Sequence, residues 1–305
     1  MNLLFAFNKP AGGTPPPPGG IGRGVYGCGT VNGTTMEYIT IATTGNSTNF
    51  GNNNNGQGYL SRAGSSDTRG VIGGGYLSGA TNVISYITVA TTGDAVDFGD
   101  LIWGRRARSA CSNQTRCVWT GGSITTSSLI TNMDYVEIAT TGNASDFGDL
   151  LIVTSDHATF GSSTRGIRFG GNPSGQMSTI SYFTLSILDS VANFGNTLVS
   201  VDENQGASNS TRGISAGDDG NGNVMQYVTI ATTGNALDFG DLTLGRSNVA
   251  SCASDTRACW AGGDTSSTNI IDYVTIATTG NASDFGDLLV GNRRMFGLSD
   301  VHGGL

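Results

Sequence analysis

Six arginines at one repeat position have the strongest claim to chemistry: Arg23, Arg69, Arg116, Arg165, Arg212 and Arg257. Their spacings are 46, 47, 49, 47 and 45 residues. Each opens a short run of small or apolar residues that ends at glycines, as in RGVIGGG and RACWAGG. A guanidinium presents a rigid fork of donors, so six of them could line an anion site on a symmetry axis. The same fork binds a carboxylate, or several carbonyls, in bidentate fashion. Carboxylates recur in step with the arginines, at Asp97/Asp100, Asp146/Asp149, Asp238/Asp241 and Asp284/Asp287. Two weaker copies carry Asn49/Asn52 and Asn193/Asn196 instead. The expectation is structural: the arginines pair between strands or repeats, with carbonyls as acceptors where the copy has Asn.

Other chemistry is sparse. Residues 218–223 read DDGNGN where a glycine pair should stand, and Asp218, Asp219 and Asn221 offer oxygen ligands for calcium. The spacing is not that of an EF-hand loop, and such composition is also ordinary turn chemistry, the preferred reading. The two histidines, His157 and His302, are expected to be lone surface residues. The five cysteines have no CxxC spacing and are read as small buried hydrophobes, with cross-strand disulfides as the alternative. Trp103, Arg105 and Arg106, in a linker, form a candidate exposed contact patch, against simple packing between repeats. No HExxH, GxSxG or Walker loop is present, so neither an enzyme nor a cofactor is expected.

The elements that must position these residues follow from an internal repeat. Residues 273–288 read YVTIATTGNASDFGDL, and related stretches start at Tyr38, Tyr86, Tyr135, Tyr182 and Tyr227. The tyrosine spacings of 48, 49, 47, 45 and 46 fall in the range of four-stranded propeller blades. Each unit reads as a first strand of small residues, an apolar second strand behind the arginine, a third strand alternating about the tyrosine, and a short fourth strand with phenylalanine. ATTGN is the turn between the last two. The chain enters in mid-repeat at about residue 21, so six second, third and fourth strands face only five first strands. The sixth must come from residues 293–300, which would complete the blade begun by residues 21–52. A closed ring requires that complementarity, because closure removes exposed sheet edges. The fold class is therefore all-β, a six-bladed β-propeller over residues 21–305. Arg62, Arg108, His157 and Asn204 on the first strands are expected to narrow its axial channel.

Composition narrows the function classes. The net charge is -8, with a single lysine, which speaks against nucleic-acid binding. No apolar run is long enough to span a membrane. The N-terminus lacks the basic start and the length of a secretory signal, so synthesis in a cytosol without a signal peptide is expected. Residues 1–20 stand apart: LLFAF is followed by AGGTPPPPGG, a stiff polyproline spacer between glycine joints. Leu3, Leu4, Phe5 and Phe7 are candidates for docking onto a partner; a disordered leader is the alternative.

The apolar strand ending in Gly-Gly, the tyrosine in the third strand and the aromatic in the fourth resemble the kelch repeat, with Phe50, Phe98, Phe147, Phe194, Phe239 and Phe285 where that repeat usually has tryptophan. The wording YVTIATTGNASDFGDL with STRG and GG also resembles repeats of virion structural and appendage proteins of tailed phages. That resemblance implies a non-enzymatic virion protein, associated with capsid or tail. Its partners would be other virion proteins, reached through the N-terminal arm, and a host-surface glycan. A bacterial glycan-binding propeller, lectin or adhesin, is the alternative.

Overall fold

The structure, a computed structural model, describes residues 20–106, 109–125, 128–220, 222–264 and 267–305. Their regular structure is entirely β, in six four-stranded antiparallel sheets. Blade 1 contains β1 (Arg23–Gly27), β2 (Thr35–Thr40) and β3 (Thr48–Asn52). Blade 2 contains β4 (Arg62–Ser65), β5 (Arg69–Gly73), β6 (Val83–Thr88) and β7 (Val96–Asp100). Blade 3 contains β8 (Ser109–Ser112), β9 (Arg116–Thr120), β10 (Asn132–Glu137) and β11 (Ser145–Asp149). Blade 4 contains β12 (Ala158–Gly161), β13 (Arg165–Phe169), β14 (Met177–Thr184) and β15 (Ala192–Val201). Blade 5 contains β16 (Gln205–Ser208), β17 (Arg212–Ala216), β18 (Val224–Thr229) and β19 (Leu237–Asp241). Blade 6 contains β20 (Ala250–Ala253), β21 (Arg257–Ala261), β22 (Ile270–Thr275) and β23 (Ser283–Asp287). The last strand, β24 (Phe296–Ser299), pairs with β1 through Gly24↔Ser299 and Gly27↔Phe296, and so supplies the missing first strand of blade 1.

Burial explains the strand sequences. Second strands are buried on both faces after their arginine, which is why they read as apolar runs rather than alternations. Third strands show the half-buried pattern that puts Tyr273 partly in contact with solvent and Ile271 and Val274 inside. Six apolar clusters fill the six blade interfaces: Ile214, Met225 and Phe239 of blade 5, for example, pack on Trp260 and Val274 of blade 6. In every blade the repeat tyrosine meets the repeat phenylalanine edge to face, with centroids from 5.8 Å for Tyr273–Phe285 to 6.2 Å for Tyr38–Phe50.

The ATTGN segment does more than turn. Gly45 donates its amide to the Phe285 carbonyl (2.7 Å) and Ser47 to the Asp287 carbonyl (2.8 Å), so the turn of blade 1 lies along the outer strand of blade 6. Asn46 Oδ1 accepts the Asp287 amide (3.0 Å). Equivalent bonds join Gly93 to Phe50, Gly142 to Phe98, Gly234 to Phe194 and Gly280 to Phe239. Each outer edge is thus covered by the next blade. The close approach requires glycine opposite: at Gly286 (φ 146°) a Cβ would lie 2.5 Å from the Gly45 carbonyl carbon.

Antiparallel strands reverse at each turn. The links between blades therefore share one face of the disc with the second-to-third loops. The arginine turns and the ATTGN turns share the opposite face, where Ile21 and the end of β24 also lie.

Candidate functional site

The six repeat arginines do not converge on the axis. Each lies over the tyrosine of its own blade, at 4.1 Å for Arg23 over Tyr38 and 4.2–4.5 Å in the others. Each Nη1 then donates to the end of the third strand of the next blade. Arg69 reaches the Ile138 and Ala139 carbonyls (both 3.0 Å), and Arg212 those of Ile276 (2.9 Å) and Ala277 (3.1 Å). Arg23, Arg116 and Arg165 bond Val89, Leu185 and Ile230, and Arg257 closes the circle on Ile41 (2.9 Å). The preceding turn aims the side chain: Ser66 Oγ accepts the Arg69 amide (3.0 Å) and Asn113 Oδ1 the Arg116 amide (2.8 Å). The expected pairing between blades is present, but its acceptors are carbonyls throughout. The repeated Asp pairs are not the partners; among the described residues, the carboxylate that pairs with one of these guanidiniums is Glu137 of the same blade, 2.9 Å from Arg116 and half exposed.

Arg105 corrects the reading of residues 103–106 as one exposed patch. It is fully buried, 3.1 Å from the equally buried Asp134, and donates to the Gly121 (2.9 Å) and Asn132 (2.8 Å) carbonyls. Arg246 repeats this three blades later, at 2.8 Å from Asp272. Burial pushes the Asp134 carboxyl up despite the opposing pull of Arg105, and it lowers the Arg105 guanidinium. Blade 4 fills the same place from another strand: Arg168 of β13 bonds Ser181, Thr179 and the Gly170 carbonyl (2.5 Å), and burial lowers it to about 10. Sequence reasoning missed these pairs. Their signal is a link arginine matched by an acid directly before the repeat tyrosine, whereas copies with Ser85, Ser181 or Gln226 there have no arginine in the link.

The axis holds a cavity of about 600 Å³, solvent at its mouth included, lined by all six first strands. Its wall is knit by hydroxyls. Ser65 donates to the Ser299 carbonyl (2.7 Å), Ser112 to Ser65 (2.9 Å), Ser208 to Gly161 (2.7 Å), Ser299 to Ala253 (2.5 Å) and Ser251 to Gly206 (2.7 Å). Of the side chains expected to narrow the channel, Arg62 lines the cavity; His157 and Asn204 do not, and Arg108 lies outside the described residues. His157 is not a surface residue, and His302 is only partly exposed. His157 is buried against Thr120 Oγ1 (2.8 Å), and His302 sits at the cavity wall, its imidazole lowered by burial. All five cysteines are free and buried, as the small-hydrophobe reading expects. Burial pushes the Cys111 thiol up to about 12.

Two of the three residues of the calcium candidate are described. The Asp218 carboxylate is buried and already accepts the amides of Asp202 (2.8 Å) and Gly220 (3.0 Å) and the Gln176 side chain (3.2 Å). Asp219 faces solvent, and Asn221 lies outside the described residues. Among the described residues no group of three or more His, Cys, Asp or Glu side chains could hold a metal ion.

The exposed surface is more distinctive. Trp103 is 50 % exposed, beside exposed Ile102. Nearby, Tyr59 and Tyr76 pair at 5.6 Å and Arg106 lies 5.3 Å from the Tyr76 ring. Three other links repeat the apolar theme, with Leu151 (57 % exposed), Ile152 and Val153, then Leu244, and Leu289 with Val290, and Leu198 is exposed on the extended β15. The link from blade 1 to blade 2, which begins NNNGQ, and that from blade 4 to blade 5, DEN, expose no large apolar side chain. Four of six links thus present apolar side chains on one face. The arm residues Leu3, Leu4, Phe5 and Phe7 lie outside the described residues. No helix among the described residues is long and apolar enough to cross a membrane. No protein-family model matches the chain, and no curated protein is significantly similar to it.

Proposed function

We propose that the chain is a non-catalytic structural protein of a tailed-phage particle, built on kelch-like blades. The propeller is its rigid body, and residues 1–20, with Leu3, Leu4, Phe5 and Phe7, form an arm that attaches it to other virion proteins of the capsid or tail. One observation carries this reading: apolar side chains recur at solvent-facing links, where packing within the monomer does not require them. Repeated exposed apolar groups on one face suit assembly with another protein surface. Residue 21, just after the arm segment, lies on the opposite face, where the Asp300 carboxylate accepts its amide (2.6 Å). A body anchored on one side and adhesive on the other is what an appendage needs.

Electron microscopy of purified particles tests the reading, with a six-bladed disc expected on capsid or tail. Removing residues 1–20 should abolish incorporation and leave the propeller folded. If the protein is missing from every particle fraction, and the soluble propeller binds a defined sugar with full affinity without the arm, the assembly role is wrong. That outcome would favour the second reading, a bacterial glycan-binding propeller. Its support is the partly exposed group of Tyr59, Tyr76 and Arg106, with exposed Trp103 three residues before Arg106, because aromatic rings and a guanidinium suit carbohydrate.

A further inference from the structure

The segment after β24 does not leave the molecule. It turns across the axis. His302 Nε2 lies 2.9 Å from the Ser65 carbonyl of blade 2 and 3.2 Å from Ser112 Oγ of blade 3. Gly303 donates its amide to the Ser208 carbonyl of blade 5 (3.0 Å). Blades 2 and 5 stand opposite one another in the ring, so two adjacent residues span its full width. Both glycines are needed for this passage: a Cβ on Gly303 would lie 2.1 Å from the Asn209 carbonyl carbon, and one on Gly304 2.0 Å from the Ser112 oxygen.

The imidazole is held in one protonation state. A carbonyl can only accept, so the proton belongs on Nε2, toward Ser65. Nδ1 must then be bare, because it accepts the Gly304 amide (3.1 Å). A second proton would set two N–H groups against each other, inside a wall whose hydroxyls are committed to the neighbouring carbonyls. The titratable and charged groups on the surrounding strands offer no compensation. Arg62 is three residues up β4 from Ser65, about 10 Å away. Cys111 on β8 is pushed up to about 12 by burial, Cys252 on β20 takes a hydrogen bond from or to Tyr26 (3.1 Å), and the Asp300 carboxylate is occupied by the Ile21 and Arg23 amides.

We propose that residues 301–305 are a plug that closes one mouth of the axial cavity and is released when His302 takes up a proton. The sign follows from linkage. Burial holds the seated imidazole below its ordinary value, so the released segment binds the proton more tightly. The seated state is fully favoured above the ordinary value of about 6.5 and is lost progressively as pH falls through it. The proposal does not depend on the particle role.

Hydrogen exchange of the full chain, read at Gly303 and Gly304, tests it. Between about pH 7.5 and pH 5 their protection, corrected for intrinsic rates, should fall about tenfold or more, in step with the His302 NMR titration. Amides of β5 and β21 should stay protected. His302→Gln offers a donor and an acceptor that do not titrate, so its plug, seated or not, should show no pH step. Gly303→Ala should be unprotected at every pH. The idea is overturned if the wild-type plug keeps its protection at the lower pH, if His302→Gln retains the step, or if β5 and β21 lose protection together with the plug.

Discussion

Arg105 and Arg212 are both buried or half-buried guanidiniums, yet they hold the ring by different means. Arg212 spends its charge on two carbonyls and a tyrosine face, with no carboxylate partner in the bond. Arg105 depends on a carboxylate that burial opposes. Removing one member of such a pair leaves an uncompensated charge in the interior. Asp134→Ala is therefore expected to destabilise the protein by about 3–5 kcal/mol in denaturant unfolding. Replacing the pair together, as Arg105→Met with Asp134→Leu, should be less damaging than Asp134→Ala alone. A double variant at least as unstable as the single one would show that the pair is worth more than the apolar contacts that replace it. The arginines were legible as structural from their spacing, but their acceptors were not, since a backbone carbonyl leaves no mark in a sequence. The repeated Asp pairs drew attention to the wrong oxygens. Arg105 was misplaced for a simpler reason: it neighbours an exposed tryptophan, and adjacency along a link says little about which residue turns inward.

At the scale of elements, the strands were nearly all visible beforehand. Period-two alternation marked the third strands, small residues the first, and glycine pairs the ends of the second. The role of ATTGN was only half visible. Its glycine suits a turn, but the turn also serves as an edge partner for the preceding blade. That role depends on a distant glycine, 42 residues back at Gly51 for Gly93 and 43 back at Gly99 for Gly142, which no local pattern connects to it. Gly286→Ala would drive a methyl into the Gly45 backbone across the seam between blades 6 and 1. The expected loss is about 1–3 kcal/mol by thermal or chemical unfolding. The same change at Gly79, which has nothing within 4 Å, should be neutral or nearly so and serves as control. Equal effects at both sites would mean that the outer seam contributes nothing. The exposed apolar links belong to this scale too. They were legible only at Trp103, because aliphatic residues in a strand-rich chain look like core until a structure places them outside.

For the whole molecule, closure rests on three concentric sets of bonds: serine hydroxyls around the axis, arginines at mid-radius and ATTGN turns at the rim. Each set runs from blade 6 to blade 1 as it does between other neighbours. The count of strands alone pointed to this ring before any coordinates, since five internal first strands for six blades leave one role for residues 293–300. Ending the chain at residue 292 should leave β1 with a bare edge and remove the Phe296 and Leu298 side chains from the blade 1–blade 2 core. The truncated protein is expected to lose the monomeric, cooperatively melting state, as followed by light scattering and thermal unfolding. A truncated monomer that melts like the full chain would show that the ring does not need its last strand.

The pairing of β24 with β1 also sets an order of events. Ile21 and Asp300, which meet in the finished ring, are 279 residues apart in the chain. A chain made from its N-terminus yields β1, β2 and β3 first, yet blade 1 is the last that can be completed. During synthesis its three strands must wait, edge uncovered, while blades 2 to 6 assemble behind them. Final docking is then a single long-range closure, of the kind that slows folding. Crowding of nascent chains should affect this protein at one place above all, the unpaired side of β1, where a neighbour's β24 fits as well as its own.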